Sequence, residues 1–489
     1  MFARLAWLRW MGLLLIGCAT LSLAPAQDAV PVTAAAAVQE RTLDQKIDDF
    51  FKPITELASE AVFAPVYGTS SIVKGGIPFI LVWLAGGALF LTLYFRFVNL
   101  SSFLLALRTV RGKYSKADDP GEITHFQALS SAVSGTVGLG NIAGVAIAIN
   151  TGGPGACLWM LLLGLFGMSS KFAECTLGVK YRHIDHHGRV HGGPMHYLTR
   201  GLADRGFGPL GKTLAVIFAL LCIGGAFGGG NMFQVNQAVS QFVNVTGGPD
   251  SFIGENRWLA GLAVAVIVGL VIIGGISRIG QVTEKLVPFM TILYVLGCLV
   301  VFFVHWDRIG ETFRLIFTEA FNLQAAGGGV IGAMLIGIRR AAFSNEAGVG
   351  SAPIAHAAAK THFPASEGVV ALLEPFVDTV VICTMTALVV ICTGDYLDTG
   401  KDGITMTSES FSSVMPWFKY VLSLAVILFA LSTLITWSYY GLQAWKFLFG
   451  KSHAADLIFK TLFCLGVIAG ASMNMENVVG FSDAMLLAM

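Results

Sequence analysis

Charged residues are scarce in this sequence. Asp, Glu, Lys and Arg make up only 12% of its 489 residues, whereas a soluble globular domain carries about 25%. This scarcity excludes an ordinary soluble enzyme or binding module. The formal net charge of +1 gives no excess of positive charge for a phosphate backbone, so we predict no nucleic-acid partner.

Motifs for metal binding and covalent catalysis are also missing. The eight cysteines include no Cys-x-x-Cys pair, and the sequence has no His-Glu-x-x-His motif. Gly-x-Ser-x-Gly does not occur at the end of an apolar segment. These absences argue against a zinc or disulfide framework and against an intramembrane hydrolase. We therefore predict no catalytic residues and no cofactor.

Long apolar segments are abundant instead. Hydrophobic residues make up 55% of the chain, and many apolar segments exceed the roughly 18 to 20 residues that cross a bilayer. We predict an all-α polytopic membrane protein with about eleven transmembrane helices, at 75–97, 126–150, 154–178, 211–244, 258–276, 283–304, 325–347, 367–392, 416–446, 455–472 and 477 onward. The last segment stops at Met489, and we expect this helix to be truncated.

The first 26 residues resemble a bacterial signal peptide. A basic start with Arg4 and Arg9 leads into an apolar core, and Ala24-Pro25-Ala26 offers a small-residue cleavage site. An uncleaved signal anchor and a lipoprotein cleavage box that ends at Cys18 are the alternatives. Cleavage would leave residues 27–71 as an external (periplasmic) segment, with one short helix expected near residues 42–60.

Basic residues predict the orientation of the helix bundle. Most lie in connections that are cytoplasmic if the N-terminus is outside, and we place Arg339 and Arg340 among these. The positive-inside rule then agrees with eleven spans and an external N-terminus. We predict a multi-pass protein of the bacterial plasma (inner) membrane, with the lipid bilayer as its surroundings.

One apolar segment, 126–150, has the composition of a loop near its middle. It contains four glycines and two polar residues within ten positions, namely Gly135, Thr136, Gly138, Gly140, Asn141 and Gly144. In lipid, a peptide group without a hydrogen bond costs several kcal/mol. A helix break here therefore has to face protein, water, an ion or a solute. Close helix packing is the alternative, since Gly140 and Gly144 form a GxxxG pair.

A second glycine-rich segment follows at 325–353. If residues 75–97 form one accessory helix, the other spans divide into a first repeat, 126–304, and a second repeat, 325–489. Each repeat has five helices and begins with an interrupted one. Because five is odd, the two repeats are inverted relative to each other. Such 5+5 inverted repeats are typical of transporters that bind solute and ion at the breaks, so we predict a transporter domain over residues 72–489.

Five sequence blocks carry a family signature. They are GTVGLGNIAGVAIAINTGGPGA from Gly135, GGPMHYL from Gly192, RAAFSNEAGVGSAPIAHAAAKT from Arg340, EPFVDT from Glu374 and TWSYYG from Thr436. In this order they resemble the alanine/glycine:cation symporter family over about residues 70–489. The resemblance implies a leucine-transporter-like fold and the sodium- or proton-coupled import of small neutral amino acids.

The candidate substrate site is centred on the first break. Exposed N–H groups at a break suit a carboxylate, and exposed carbonyls suit an ammonium group or a cation. From this reasoning and the resemblance, the substrate-binding residues are Thr136, Gly138, Gly140, Asn141, Gln234, Thr433 and Trp437. A helix cap is the alternative role for Asn141, and ordinary packing is the alternative for Trp437.

Hydroxyl and carbonyl oxygens form the candidate cation site. Ser432 and Thr433, with backbone carbonyls near Ser134 and Val137, would bind a hard cation such as sodium. Hydrogen bonding between helices is the alternative role for the two hydroxyls. Arg339, Arg340 and Glu346 form a candidate internal gate.

These features predict a secondary active symporter that imports alanine or glycine with sodium by alternating access, as a monomeric transport unit. Proton coupling stays open as an alternative because Glu374 and Asp378 lie four apart on one face of an apolar helix. A passive channel is the alternative from another class.

Overall fold

The computed structural model of the protein describes residues 42–64, 76–116, 118–186, 188–272, 275–322, 329–398 and 403–489. The predicted signal peptide lies outside the described residues. Helices dominate the described chain, and a two-stranded antiparallel sheet joins β1 (His183–Ile184) to β2 (Val190–His191).

The chain begins with helices that precede the first break. Helix α1 (Leu43–Val62) starts at Thr42, whose hydroxyl accepts a hydrogen bond from Gln45 N in a capping box, and it agrees with the short helix expected near residues 42–60. Helix α2 (Phe79–Tyr94) lies at the position of the accessory helix. The short helices α3 (Val98–Ser101) and α4 (Phe103–Val110) follow it.

The first predicted repeat contains nine helices in the described residues and one π-helical turn. In chain order these are α5 (His125–Thr136), α6 (Ala143–Gly152), α7 (Ala156–Lys180), α8 (Pro194–Ala203), α9 (Gly208–Phe227), the π-helical turn Gly228–Met232, α10 (Phe233–Val245), α11 (Phe252–Glu255), α12 (Arg257–Val271) and α13 (Gly275–Val304).

The described residues after the first predicted repeat contain ten helices, one π-helix and one 3-10 turn. In order these are α14 (Trp306–Ala320), α15 (Gly329–Asn345), α16 (Ala352–His356), α17 (Pro364–Ala371), α18 (Leu373–Pro375), the π-helix Phe376–Cys383, α19 (Thr384–Thr393), the 3-10 turn Asp395–Leu397, α20 (Gly403–Val414), α21 (Phe418–Phe449), α22 (His453–Ser472) and α23 (Met475–Leu487).

Several of these helices can cross a membrane. Within the described residues, six are both long and apolar enough: 156–180, 208–245, 275–304, 364–393, 418–449 and 453–472. Three shorter apolar helices lie at 79–94, 143–152 and 257–271. The protein is therefore a multi-pass helical membrane protein, while the count of eleven spans and the 5+5 division stay predictions.

The two interrupted helices lie together inside the bundle. Helix α5 packs against α13 and α21, and α15 packs against α6 and α7. All six residues of the first break, 137–142, are buried. The break thus faces protein and not lipid, as the cost of unpaired peptide groups requires.

Candidate binding site at the two helix breaks

Side chains satisfy the backbone of the first break. Helix α5 ends at Thr136 and α6 starts at Ala143. Between them, Gly138 N donates to Asn141 Oδ1 at 2.9 Å and Leu139 N donates to Gln234 Oε1 at 2.9 Å. Asn141 therefore caps the break, which was the alternative role for it. Contact of Asn141 or Gln234 with substrate stays a prediction.

Gln234 connects the first break to a second irregular segment. It follows the π-helical turn 228–232, and its Nε2 donates to Gly229 O at 2.8 Å. Both ends of the Gln234 amide are thus used to hold backbone in place. π-helical turns are frequent at functional sites, and the glycines before Gln234 are the sequence signal for this one.

The second break is satisfied in the same way. Helix α15 ends at Asn345, and Glu346 has a positive φ of 54°. Asn345 Oδ1 accepts a hydrogen bond from Ala347 N at 3.0 Å. The Glu174 carboxylate, on α7, lies near the backbone of Gly348 and Gly350. Negative charge at exposed N–H groups is favourable, so Glu174 stabilises the break.

Asp378 joins the two breaks. Its Oδ1 accepts a hydrogen bond from Asn141 Nδ2 at 2.6 Å, and its Oδ2 accepts one from Ser344 Oγ at 2.9 Å. Asp378 is fully buried on the π-helix 376–383. The sequence indicated this residue only as an acid in an apolar segment. The structure places it between both interrupted helices.

The residues of the predicted cation site come together. Ser134 Oγ donates to Ser432 O at 2.9 Å, and Thr433 Oγ1 donates to Ser134 O at 3.0 Å. Val137, the first residue after α5, is fully buried. The structure adds Thr436, whose hydroxyl lies 3.1 Å from Ser134 Oγ. Hydroxyl and carbonyl oxygens of this kind suit a hard cation.

Trp437 lies on α21 one turn beyond Thr433 and is 1% exposed. Its Nε1 donates to Glu346 Oε1 at 3.0 Å, so the indole is fixed to the second break. Gly230 packs so closely on Trp437 that a Cβ at position 230 would lie 2.2 Å from Trp437 Cγ. The indole orientation is therefore determined from two sides.

The other predicted substrate residues lie at the first break. Thr136 is the last residue of α5, and its hydroxyl bonds weakly to Ala132 O and Val133 O at 3.4 Å each. Gly138 faces Thr433 and Gln234, and Gly140 faces Phe343 of the second interrupted helix. All the predicted substrate and cation residues thus lie in one region of the structure.

The predicted gate residues have other partners in this structure, and their role as a gate stays a prediction. Arg340 pairs with Asp483 of α23, and Arg339 Nε lies 2.7 Å from Asp483 Oδ2. Glu346 instead accepts hydrogen bonds from Ser351 and Trp437. Asp483 was missed because the sequence offered no link between residues so far apart in the chain.

One of the two arginines contacts the N-terminal segment. The Arg339 guanidinium lies 4.1 Å from the ring centroid of Phe63, the residue after α1. Which side of the membrane this region faces stays a prediction. Helix α15 ends at the buried Asn345, so its end does not by itself mark the membrane surface.

Several buried ionisable side chains on α5, α7 and the segments after α15 contact one another. Lys171 Nζ on α7 is 3.0 Å from Glu374 Oε1, and both side chains are fully buried. His356, on α16, is 2.6 Å from Glu367 Oε1, and Glu367 also pairs with His125 at the start of α5. Lys171, His125 and His356 were missed, although an ionisable residue in an apolar segment was an available signal.

Two interrupted helices joined by buried polar groups, within a multi-pass bundle, define a secondary transporter. The chain belongs to the sodium:alanine symporter family, whose sequence model matches residues 60–489. This match confirms the resemblance found in the sequence. The family is one of transporters and not of enzymes.

Individual relatives are similar over most of their length. The chain is 39% identical over 416 residues to the sodium/alanine symporter AgcS of Methanococcus maripaludis, covering 84% of this chain and 89% of AgcS. It is 34% identical over 361 residues to the amino-acid carrier protein AlsT of Bacillus subtilis, covering 73% of each.

A solved structure supports the fold. The crystal structure of MhsT in complex with L-phenylalanine aligns with a TM-score of 0.53 and 15% sequence identity, covering 75% of this chain and 87% of MhsT. At this identity the similarity applies to the fold alone.

Proposed function

We propose that this protein imports a small neutral amino acid, alanine or glycine, together with sodium. The observation that carries the proposal is the first break, held open between Gln234 and Asp378 by hydrogen bonds from Leu139 and Asn141. The relatives AgcS and AlsT, named for sodium/alanine symport and amino-acid carriage, support it.

The substrate binds beside the first break, where peptide dipoles match both ends of a zwitterion. Gly138 N and Leu139 N now donate to Asn141 Oδ1 and Gln234 Oε1, and they exchange these partners for the substrate carboxylate. Carbonyls at the end of α5 face the ammonium group. Trp437, fixed by Glu346 and Gly230, walls the site. Because the Trp437 indole cannot rotate away, a substrate side chain as small as methyl or hydrogen fits beside it.

Sodium binds between α5 and α21. Ser134, Val137, Ser432 and Thr433 supply oxygens, and Asp378 supplies negative charge on the other side of the break. A cation and a buried carboxylate stabilise each other in the low dielectric of the bundle. Binding of one ion thereby favours the closed arrangement of both interrupted helices.

The proposed function implies a particular arrangement of the helices in the membrane. One accessory helix and a 5+5 inverted repeat would give eleven spans, with the N-terminus outside the bacterial inner membrane and one chain as the transport unit. Arg339, Arg340 and Asp483 then close the site on the α1 side, which is the outer side. In alternating access, this contact opens while contacts on the inner side stay closed. The inner contacts then open while this contact is closed.

Uptake into liposomes tests sodium coupling. With the purified protein and labelled alanine at fixed pH, an inward sodium gradient is expected to drive uptake several times faster than choline. Equal rates in sodium and choline would contradict the proposal. Uptake driven instead by an inward proton gradient would support the proton-coupled alternative, and a linear, gradient-independent flux would support a channel.

Asp378→Asn tests the counter-charge. The amide keeps the shape of the side chain but removes its charge. The sodium concentration for half-maximal uptake is expected to rise about tenfold or more, since losing about 1.4 kcal/mol of attraction weakens binding tenfold. Asp307→Asn, at an exposed position on α14, is the matched control. An unchanged sodium titration in Asp378→Asn would remove this residue from the ion site.

A further inference from the structure

Most of helix α1 lies before residue 60, where the family match starts. It packs mainly on α23 and also on α22. Its polar contacts run from Asp44 to Ser59. From Asp48 onward these specific contacts are made to the last helix, and they require an explanation beyond membrane anchoring.

Asp48 anchors the start of α23. Its Oδ1 accepts hydrogen bonds from Asn474 N at 2.8 Å and Asn477 Nδ2 at 2.8 Å, and its Oδ2 accepts one from Asn474 Nδ2 at 2.5 Å. Asn474 is the N-cap of α23 but makes no side-chain cap of its own. Asp48 thus caps a helix from a different part of the chain, and its charge suits the helix N-terminus.

The contact continues along α23 and ends on α15. Thr55 Oγ1 donates to Asn477 O at 3.3 Å, and Ser59 Oγ donates to Gly480 O at 3.4 Å. Phe63 then lies under the guanidinium of Arg339, which itself pairs with Asp483. One end of the α1 segment is therefore fixed to α23, and the other end contacts α15.

We propose that α1 is a strap across the contact between α15 and α23, with Asp48 and Phe63 as positioning residues for the Arg339–Asp483 pair. The inference rests on the proposed function, in which these two helices separate when the site opens on the α1 side. Separation requires Phe63 to leave Arg339. The strap therefore favours the closed state and lowers the fraction of transporters open to external substrate.

Phe63→Ala is the variant that tests the strap. When only a fraction of molecules is competent to bind, the apparent dissociation constant is raised by the inverse of that fraction. Losing a cation–π contact is therefore expected to lower the KM for external alanine about two- to fivefold at fixed sodium. Phe63→Trp keeps an aromatic face for Arg339 and is expected to retain the wild-type KM.

Phe50→Ala is the matched control because Phe50 lies on the same helix and is largely exposed. It is expected to leave KM unchanged. A structural role for Phe63 in folding or insertion would reduce the amount of protein without lowering KM. An unchanged or raised KM in Phe63→Ala, at matched protein amount, overturns the strap.

Hydrogen–deuterium exchange separates the strap from the transport function. In Phe63→Ala, amides of residues 475–487 and 339–345 are expected to exchange faster than in the wild type and in Phe50→Ala. Unchanged exchange overturns the strap even if transport is intact. Faster exchange in a protein that shows no sodium-driven uptake supports the strap and contradicts the proposed function.

Discussion

Gly138→Ala is expected to lower sodium-driven uptake about tenfold or more, because overpacking by one methyl group typically costs 1–3 kcal/mol. A Cβ at this position would lie 2.6 Å from Thr433 Oγ1 and 2.8 Å from Gln234 Oε1. Thr433 bonds Ser134 O, and Gln234 bonds Leu139 N. The methyl group therefore displaces contacts on both sides of the break. Initial uptake rates in liposomes, at equal protein amount, measure the loss.

Gly144→Ala is the matched control for this change. Gly144 lies in α6, and a Cβ there meets nothing within 4 Å. Alanine is also the better helix former by about 1 kcal/mol. We expect normal uptake and equal or higher thermal stability in Gly144→Ala. Wild-type uptake in Gly138→Ala would show that the contacts of the first break do not govern transport.

Lys171→Met is expected to destabilise the whole protein. Lys171 and Glu374 are a fully buried ion pair. Removing one partner of a buried pair typically costs about 3–5 kcal/mol, and Glu374 then keeps the contact of its Oε2 with His356 Nε2 at 3.7 Å. We expect a marked fall in the midpoint of thermal unfolding in detergent, measured by the loss of the monodisperse peak in size-exclusion chromatography.

Adding Glu374→Gln to Lys171→Met should recover much of that stability. The double variant removes both charges, and replacing a complete buried pair by neutral groups is often nearly neutral in free energy. Lys180→Met, an exposed position on the same helix, controls for the loss of a lysine. If the double variant is no more stable than Lys171→Met, the cost does not arise from the unpaired Glu374 charge.

The sequence predicted the position of the first break well. Glycines beside Thr136 and Asn141 in an apolar segment leave few physical alternatives, and the helix ends at Thr136, within the predicted cluster 135–144. The second glycine-rich segment was predicted only as 325–353, and α15 ends inside it at Asn345. Both are local features, decided by residues that are close together in the chain.

The partners of these residues were not predictable in the same way. Asp378 is 237 positions from Asn141, and Asp483 is 143 positions from Arg340. A single sequence shows that a buried charge needs a partner but does not say which one.

The position of Asp378 has a consequence for leakage. Its hydrogen-bond donors Asn141, Ser344 and Thr379 are all uncharged. In the proposed cycle, a carrier that changed sides after losing its ion would leave this buried carboxylate without a cation in the low dielectric of the bundle. We therefore expect the conformational change without sodium, and the leakage that it would cause, to be slow.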